Sequence, residues 1–443
     1  MSSELLTLLL FLLLFAGLLL GFPVAFTLGG LSVIFGLFAF GFDFFNLLPL
    51  RIYGIMNNYV LIAVPLFVFM GSMLEKSGIA ERLLDTMALI MGRLRGGLAL
   101  SVVIVGAMLG ATTGVVGATV TTMGLLSLPT MLRRGFSKSL ATGTIAAAGT
   151  LGQLVPPSVV MVLLGSVMNV SVGDLFAAAL IPSGLLVGGY LLYIIFLAYL
   201  RPQEAPSVDA AELKEFWSEG IVRRIVRALV LPFLLVLAVL GSIYAGIATP
   251  TEAAAVGAAV SMVLTAIEGK LNWQVVLETC KQTTFLTSMV FIILVGATAF
   301  GLVFRGIGGD SVMVSLIERS NLSPMLFLAL VLAGIFLAGC FIDFIEIIFI
   351  FVPVITPLLV KYEMNLVWVA ILITVMLQTS FLTPPFGFTL FYLKGVAPAS
   401  VQTADIYRGV VPFIIIQIIV VAVILAVPEL GSFVPKSTRA ALP

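Results

Sequence analysis

Histidine is absent from this 443-residue chain, and charge is nearly so: Lys and Arg number 22 and Asp and Glu 21, together 10% of the residues. The missing histidines remove imidazole general bases, Ser-His and Cys-His nucleophile systems and imidazole metal ligands at once. Most hydrolase chemistry is therefore not expected. The missing charge reaches further. Soluble domains carry about 25% charged residues, so the two or three domains this length allows would lack the side chains to cover their surfaces. Cysteine is scarce as well. Cys280 and Cys340 stand far apart in apolar surroundings, neither a disulfide framework nor a metal-ligand spacing, and read as small core residues. A formal net charge of +1 gives no electrostatic reason for a nucleic-acid partner. What the chain does have is 61% hydrophobic residues, 42 Gly and 33 Phe. The bilayer is its solvent.

A helix needs about 20 mostly apolar residues to cross the hydrocarbon layer. Dividing the chain at charged or Pro/Gly-rich breaks predicts ten full spans, at 5–21, 24–40, 60–75, 139–169, 175–199, 225–246, 252–268, 282–304, 364–394 and 409–427. Two further apolar segments, 97–131 and 325–360, are too long for one span and short for two; re-entrant hairpins fit that length. The stretch 5–21 has a signal-peptide look, but Glu4 precedes it without Lys or Arg and Pro23 leads into another span, so it reads as a retained helix. With both hairpins returning to the side they came from, 16 of the 22 Lys and Arg fall on one face, among them Arg93, Arg95, Arg133, Arg134, Arg201 and Lys281. That face is expected to be cytoplasmic. Both termini then lie outside, with Lys436 and Arg439 counting against that placement.

The longest polar stretch, Arg201 to Arg227, divides the chain near its midpoint, and landmarks recur on either side of it at a nearly constant offset. Gly71 and Gly78 correspond to Gly301 and Gly308, Gly110 to Gly339, Pro156-Pro157 to Pro384-Pro385, and Asp174 to Asp405. The chain thus reads as a first repeat over 1–200, a linker over 201–224, a second repeat over 225–427 and a tail over 428–443. Each repeat holds five full spans, an odd number, so the second copy enters the membrane upside down. Inverted repeats of this kind build secondary transporters with binding sites near the midplane. The expected fold class is an all-α polytopic membrane protein with about ten transmembrane helices and two opposed re-entrant hairpins.

Candidate chemistry concentrates in the hairpins and the two Pro-Pro spans. The first hairpin carries Gly110-Ala-Thr-Thr-Gly-Val-Val-Gly-Ala-Thr-Val-Thr-Thr-Met-Gly124. An unwound tip there would free carbonyls and Thr hydroxyls for a small hard cation and offer N–H groups to an anion. Gly106, Gly110 and Gly114 also form a tandem GxxxG that would serve close helix packing. The flanks favour the hairpin, because Arg93 and Arg95 before it and Arg133 and Arg134 after it both belong in the cytoplasm. The second hairpin carries Asp343 and Glu346, three apart and expected on one helical face. Each carboxylate at mid-membrane costs about 2.5–3.5 kcal/mol, so a cation, a proton or a distant Arg is expected to compensate; the alternative places both at the membrane surface. The broken spans hold Gly149 to Ser158 and Gln378 to Gly387. A Pro-Pro pair removes two amide donors and leaves carbonyls that water, Ser or Thr hydroxyls or an ion must satisfy. Thr249-Pro250-Thr251-Glu252 is a capping box with proline at the first helical position and has a structural role only.

These residues resemble a family, the large membrane subunit (DctM type) of TRAP transporters, within the ion-transporter superfamily. The matching strings are Ala63 to Gly71, Gly110 to Gly124, Pro156-Pro157-Ser158, Gly246 to Ala253 with Thr-Pro-Thr-Glu-Ala, and Thr383-Pro384-Pro385-Phe386-Gly387. The resemblance implies a sodium-coupled importer of a small organic acid in the bacterial inner membrane, working by an elevator movement. Its implied partners are a soluble periplasmic binding protein and a small four-helix membrane subunit; sodium is the coupling ion and no organic cofactor is expected. Carried onto this chain, the resemblance implies sodium ligands at Thr112, Thr113, Gly114, Thr150, Gly152, Gly339, Asp343, Thr379 and Thr383. Cargo contacts are implied at Val115, Val116, Pro156, Pro157, Ser158, Ser380, Pro384, Pro385, Gly387 and Glu346. Val115-Val116 stands where many members have Ser-Ser, which is similar to the branch assigned to 2-oxo acids and related carboxylates. Bulky residues and then Glu346 follow Asp343 where small or hydroxylated ones are common.

No phosphate loop occurs, since Gly71-Ser-Met-Leu-Glu-Lys-Ser77 lacks the glycine before Lys76. The alternative of an intramembrane aspartate-dependent enzyme would rest on Asp343, Glu346 and Asp310. Ile307-Gly-Gly-Asp310 only approaches the Gly-x-Gly-Asp string of membrane aspartyl proteases. An ion channel would favour a symmetric oligomer over a repeat inside one chain.

Overall fold

The structure is a computed structural model that describes residues 2–113, 116–207, 226–320 and 322–433. Every regular element among them is helical. The described residues open with α1 (Ser3–Leu19), α2 (Val24–Phe40), α3 (Phe44–Met56), α4 (Ala63–Lys76) and α5 (Ile79–Ile90). It continues through α6 (Gly97–Thr113), α7 (Val116–Arg133), α8 (Lys138–Thr150), α9 (Val159–Met168) and α10 (Val172–Leu200). After the linker come α11 (Leu231–Tyr244), α12 (Pro250–Ile267), α13 (Trp273–Gly306) and α14 (Gly309–Ser320). The chain ends with α15 (Pro324–Gly339), α16 (Phe344–Lys361), α17 (Leu366–Leu382), α18 (Phe388–Val396) and α19 (Thr403–Ala426).

Six helical stretches among the described residues are long and apolar enough to cross a membrane: Tyr59–Lys76, Val172–Leu200, Pro250–Ile267, Trp273–Gly306, Phe344–Lys361 and Thr403–Ala426. Shorter apolar helices, including α1, α2, α15 and α17, accompany them. The segments 139–169 and 364–394 are each two helices, α8 with α9 and α17 with α18, separated at the Pro-Pro pairs. The segments 97–131 and 325–360 are helix pairs, α6 with α7 and α15 with α16. Helices α3, α5 and α14 were not expected. Each is short, and α5 alternates charge with a buried face of Ile79, Leu83, Leu84 and Met87, so its charges read as a break in the sequence.

Polar residues set where helices begin. Ser137, Ser171, Asn272, Ser323 and Asn365 each accept a backbone N–H in the first turn of the helix they precede. At α12 the expected capping box is complete: Thr249 Oγ1 accepts from Glu252 N at 3.3 Å while Thr249 N donates to Glu252 Oε2 at 2.8 Å. Thr251 goes further and donates to the Tyr59 carbonyl at 3.0 Å, tying α12 to the start of α4.

Two packed groups follow from the contacts. Helix α4 lies against α12 and α13, and α2 lies against α13. In the other group α6, α7 and α19 surround α8, while α15, α19 and α10 surround α17. Small residues permit the closest of these approaches. A Cβ on Gly143 of α8 would overlap the backbone of Gly409 on α19, and the reverse holds too. The hairpin arms cross between halves: α7 packs on α18 and α16 on α9. Ion pairs link helices near their ends: Lys76 of α4 with Glu278 of α13, Arg82 of α5 with Glu268 at the end of α12, Arg319 of α14 with Glu4 of α1, and Lys361 of α16 with Glu318 of α14. Arg201 and Glu204 pair within one loop.

Candidate functional site

Each hairpin end meets a helix break. A Cβ built on Gly110, at the end of α6, would lie 2.6 Å from Gly152 Cα, just past α8. A Cβ on Gly339, at the end of α15, would overlap Ser380 Oγ near the end of α17. Gly110 and Gly339 correspond between the two halves of the sequence, and their partners Gly152 and Ser380 stand at nearly the same offset, 228 residues against 229. Between the two junctions, Gln378 Nε2 donates to Thr150 Oγ1 at 3.3 Å. Four helix starts, those of α7, α9, α16 and α18, belong to this region, and each presents N–H groups with no intrahelical acceptor.

The carbonyls freed at the first break are satisfied from within. Ser158 Oγ donates to the Gln153 carbonyl at 2.5 Å and Ser183 Oγ to the Leu154 carbonyl at 3.2 Å. Gln153, Pro156, Pro157 and Ser158 are buried. Both amide atoms of the Gln153 side chain are buried without a hydrogen-bond partner. The Pro156-Pro157 and Pro384-Pro385 bonds are both cis. At the second break Thr383 is half-buried and Pro385 and Phe386 are exposed. Tyr407 donates its hydroxyl to the Pro385 carbonyl at 2.9 Å.

Hydroxyls dominate the polar surface. Thr150 donates to the Ala147 carbonyl (2.8 Å), Thr379 to Val375 (2.7 Å), Ser380 to Leu377 (2.8 Å) and Thr383 to Thr379 (2.7 Å). A hydroxyl whose proton is committed to its own helix presents lone pairs elsewhere. Among the described residues no three His, Cys, Asp or Glu side chains come together. A cation here would therefore draw on hydroxyls, carbonyls and at most a pair of carboxylates.

Asp343 departs from the expected arrangement. It caps α16 instead of sharing a helical face with Glu346, and its Oδ1 accepts the Phe344 N–H at 2.6 Å. Glu346 lies in the first turn. Both carboxylates gain from the positive end of α16. No ion pair among the described residues includes either one, so no Arg from another helix compensates them. Their tip adjoins the second break, at the opposite end of α16 from Lys361.

Of the candidate residues, Thr150, Gly152, Pro156, Pro157 and Ser158 belong to the first junction, with Val116 buried at the start of α7. Gly339, Asp343, Glu346, Thr379, Ser380, Thr383, Pro384, Pro385 and Gly387 belong to the second. Gly114 and Val115 lie outside the described residues, as do the side chains of Thr112 and Thr113. An aromatic collar at the second junction was not expected. Phe341 faces Phe386 (ring centroids 5.3 Å apart), Phe344 faces Phe381 (5.9 Å) and Phe381 faces Phe388 (5.3 Å). Tyr392 covers Gly117 of α7, where a Cβ would come within 2.9 Å of its ring. Phe is common along this chain, so no spacing distinguishes these rings beforehand.

The family profile of the tripartite ATP-independent periplasmic transporter, DctM component, matches residues 11–430. The C4-dicarboxylate TRAP transporter large permease protein DctM of Pseudomonas aeruginosa is 31% identical over 412 residues, which cover 92% of this chain and 93% of that one. The ectoine/5-hydroxyectoine TRAP transporter large permease protein UehC of Ruegeria pomeroyi is 29% identical, over 84% of this chain and 85% of that one. The sialic acid TRAP transporter permease protein SiaT of Haemophilus influenzae is 26% identical over 86% of this chain, which spans 60% of its length. The crystal structure of the Alcanivorax borkumensis YdaH transporter shares the fold, with a TM-score of 0.62 at 16% identity over 95% of this chain and 98% of that one. The chain belongs to the DctM family, the large membrane component of tripartite ATP-independent periplasmic transporters.

Proposed function

We propose that this chain is the translocating subunit of a sodium-coupled importer of a small organic acid. A soluble extracytoplasmic binding protein delivers the cargo, and a small membrane subunit works beside this chain. One observation carries the reading: each hairpin end is seated on a helix break, Gly110 on Gly152 and Gly339 on Ser380, with the Thr150–Gln378 hydrogen bond between them. Broken helices that pair open N–H ends with freed carbonyls suit an anionic cargo and small cations together.

Two sodium sites are proposed. The first draws on Thr112, Thr113, Gly114, Thr150 and Gly152, and the second on Gly339, Asp343, Thr379 and Thr383. Cargo lies between them, against Val115, Val116, Ser158, Ser380 and the two Pro-Pro segments, with Glu346 at its edge. Asp343 supplies charge to the second sodium site while capping α16. The two repeats are taken as inverted copies, and α6–α10 with α15–α19 as the block that moves against α2, α4, α12 and α13 in an elevator cycle. The close packing of α4 with α12 and α13, and of α8 with α6, α7 and α19, supports that division, with α4 on α6 and α13 on α16 as the contacts that would slide.

The cargo is a carboxylate. Relatives carry names for C4-dicarboxylates, ectoine and sialic acid, and the Val115-Val116 pair favours a 2-oxo acid or related small carboxylate over sialic acid. Proteoliposomes holding this chain with its small membrane subunit and binding protein test the reading, with labelled pyruvate and succinate as probes. Uptake is expected only with an inward sodium gradient and only with the binding protein present. Uptake indifferent to sodium would sink the coupling, and flux without the binding protein would overturn the delivery step.

A further inference from the structure

Four described basic residues fall on the face expected to be extracytoplasmic: Arg51, Arg305, Arg319 and Lys361. Arg319 pairs with Glu4, and Lys361 with Glu318. Among the described residues no ion pair includes Arg51 or Arg305, and both line one cavity of about 430 Å³. These two cations therefore share a single concavity.

The cavity lies on the seam between the two packed groups. One wall is α3 and one face of α13, where Leu294, Thr298, Gly301 and Arg305 recur at helical spacing. The other wall is the end of α9, at Ser166 and Asn169, and Phe349 and Pro353 of α16. Asn58 bridges the walls by donating to Ser166 Oγ at 2.9 Å. Arg305 is exposed and folds back along α13: its Nη2 lies 3.6 Å from where a Cβ on Gly301 would be, so the guanidinium rests over its own helix one turn back, beside the cavity lining. A helix C-terminus accounts for a cation at Arg305 but not for Arg51, which stands in the middle of α3. Low-dielectric walls around two like charges focus a field that attracts anions, and the guanidinium fork matches a carboxylate. The apolar remainder of the lining suits a short carbon skeleton.

We infer that Arg51 and Arg305 form an anion-capture site at the outer mouth, where the carboxylate of incoming cargo is held after release and before it reaches the hairpin junctions. The inference rests on the import reading above and on α3 lying at the outer face. It assigns the pair a role in specificity: a neutral or zwitterionic cargo would gain less from it than a dianion.

The test uses the full chain with its small membrane subunit in lipid nanodiscs. Phenylglyoxal labelling of arginines is followed by peptide mass spectrometry, with succinate or pyruvate against sodium chloride of equal ionic strength. Arg51 and Arg305 are expected to label about tenfold more slowly with either carboxylate, while the exposed, paired Arg319 labels at an unchanged rate. Equal protection by chloride, or none at all, would overturn the site. In proteoliposomes R51Q/R305Q is expected to raise the half-saturating succinate concentration about tenfold, with R51K/R305K between the two because lysine keeps the charge and loses the fork. Wild-type half-saturation in R51Q/R305Q would also overturn it. Weaker capture of the binding protein by R51Q/R305Q, with carboxylate protection of Arg51 and Arg305 absent, would assign the pair to protein docking and overturn cargo capture. If the unmodified chain shows no sodium-driven uptake while the carboxylates still protect both arginines, the import reading fails and the anion site stands.

Discussion

The two helix breaks carry the same Pro-Pro chemistry in different settings. At the first, Pro156, Pro157 and Ser158 are buried, and the freed carbonyls of Gln153 and Leu154 take their hydrogen bonds from Ser158 and Ser183. At the second, Pro385 and Phe386 are exposed, the Pro385 carbonyl accepts from Tyr407, and aromatic rings stand beside the Thr383 hydroxyl around the turn. The hairpin contacts differ in kind as well. Gly110 touches backbone at Gly152, whereas Gly339 touches a side chain at Ser380. The first junction is a buried backbone-on-backbone seat, and the second is partly exposed with a side chain at the contact. Related positions can thus share a motif and differ in what a substitution displaces, and under the proposed function the second junction is the better placed to admit cargo.

That contrast can be broken most forcefully at the glycines. G110A places a Cβ against an immovable backbone, and about 1–3 kcal/mol of overpacking is expected, with uptake lost. No substitution at position 152 can relieve it, because Gly152 already lacks a side chain. G339A collides with Ser380 Oγ and, at 2.7 Å, with Ser380 Cβ, so G339A/S380G is expected to regain part of the uptake that G339A loses, short of what the Ser380 cargo contact supplies. Rescue assays in proteoliposomes decide this, and equal behaviour of the two glycines would erase the distinction.

Charge at the second junction comes next. D343N keeps an N-cap of equal quality while removing the carboxylate, so α16 should stay formed. The sodium concentration for half-maximal uptake is expected to rise about tenfold, with thermal stability in potassium unchanged. An unchanged sodium dependence would take Asp343 out of the ion site.

Smaller effects separate the breaks themselves. S158A leaves the buried Gln153 carbonyl without its donor and is expected to destabilise by about 1–3 kcal/mol. Y407F removes a bond to an exposed carbonyl that water can replace, with an expected loss below about 1 kcal/mol. Thermal unfolding in nanodiscs compares the two, and a larger loss for Y407F would reverse the ranking. The smallest effect on transport belongs to T249A. Loss of the α12 cap lowers stability by about 1 kcal/mol with uptake unaffected, and a transport defect would give that string a role beyond structure.

Apolar length and Pro/Gly breaks made the main elements legible in the sequence. The segments 97–131 and 325–360 are helix pairs, and the Pro-Pro spans are split where the prolines stand. The short helices were hidden because dividing a chain at its charges reads Glu81, Arg82 and Asp85 as a loop, although they mark the outer face of α5. At the candidate site, Gly152 and Ser380 were legible as residues but not as the partners of Gly110 and Gly339, since such pairing is set by tertiary approach. The spacing of Asp343 and Glu346 suggested one helical face, yet spacing cannot say where a helix begins, and Asp343 is its cap. The meeting of Arg51 with Arg305 joins helices more than 200 residues apart, beyond any local pattern.

The central claim is that the tip-and-break junctions bind sodium. Thermal unfolding of the full chain with its small membrane subunit in nanodiscs, in sodium against potassium at equal ionic strength, tests it most directly. At a 100-fold excess over its dissociation constant, one ion adds about 2.7 kcal/mol. A sodium-specific rise in melting temperature is expected, which D343N diminishes and D343N/T150V abolishes. Equal melting temperatures in the two salts, or a sodium effect that D343N/T150V leaves intact, would contradict it.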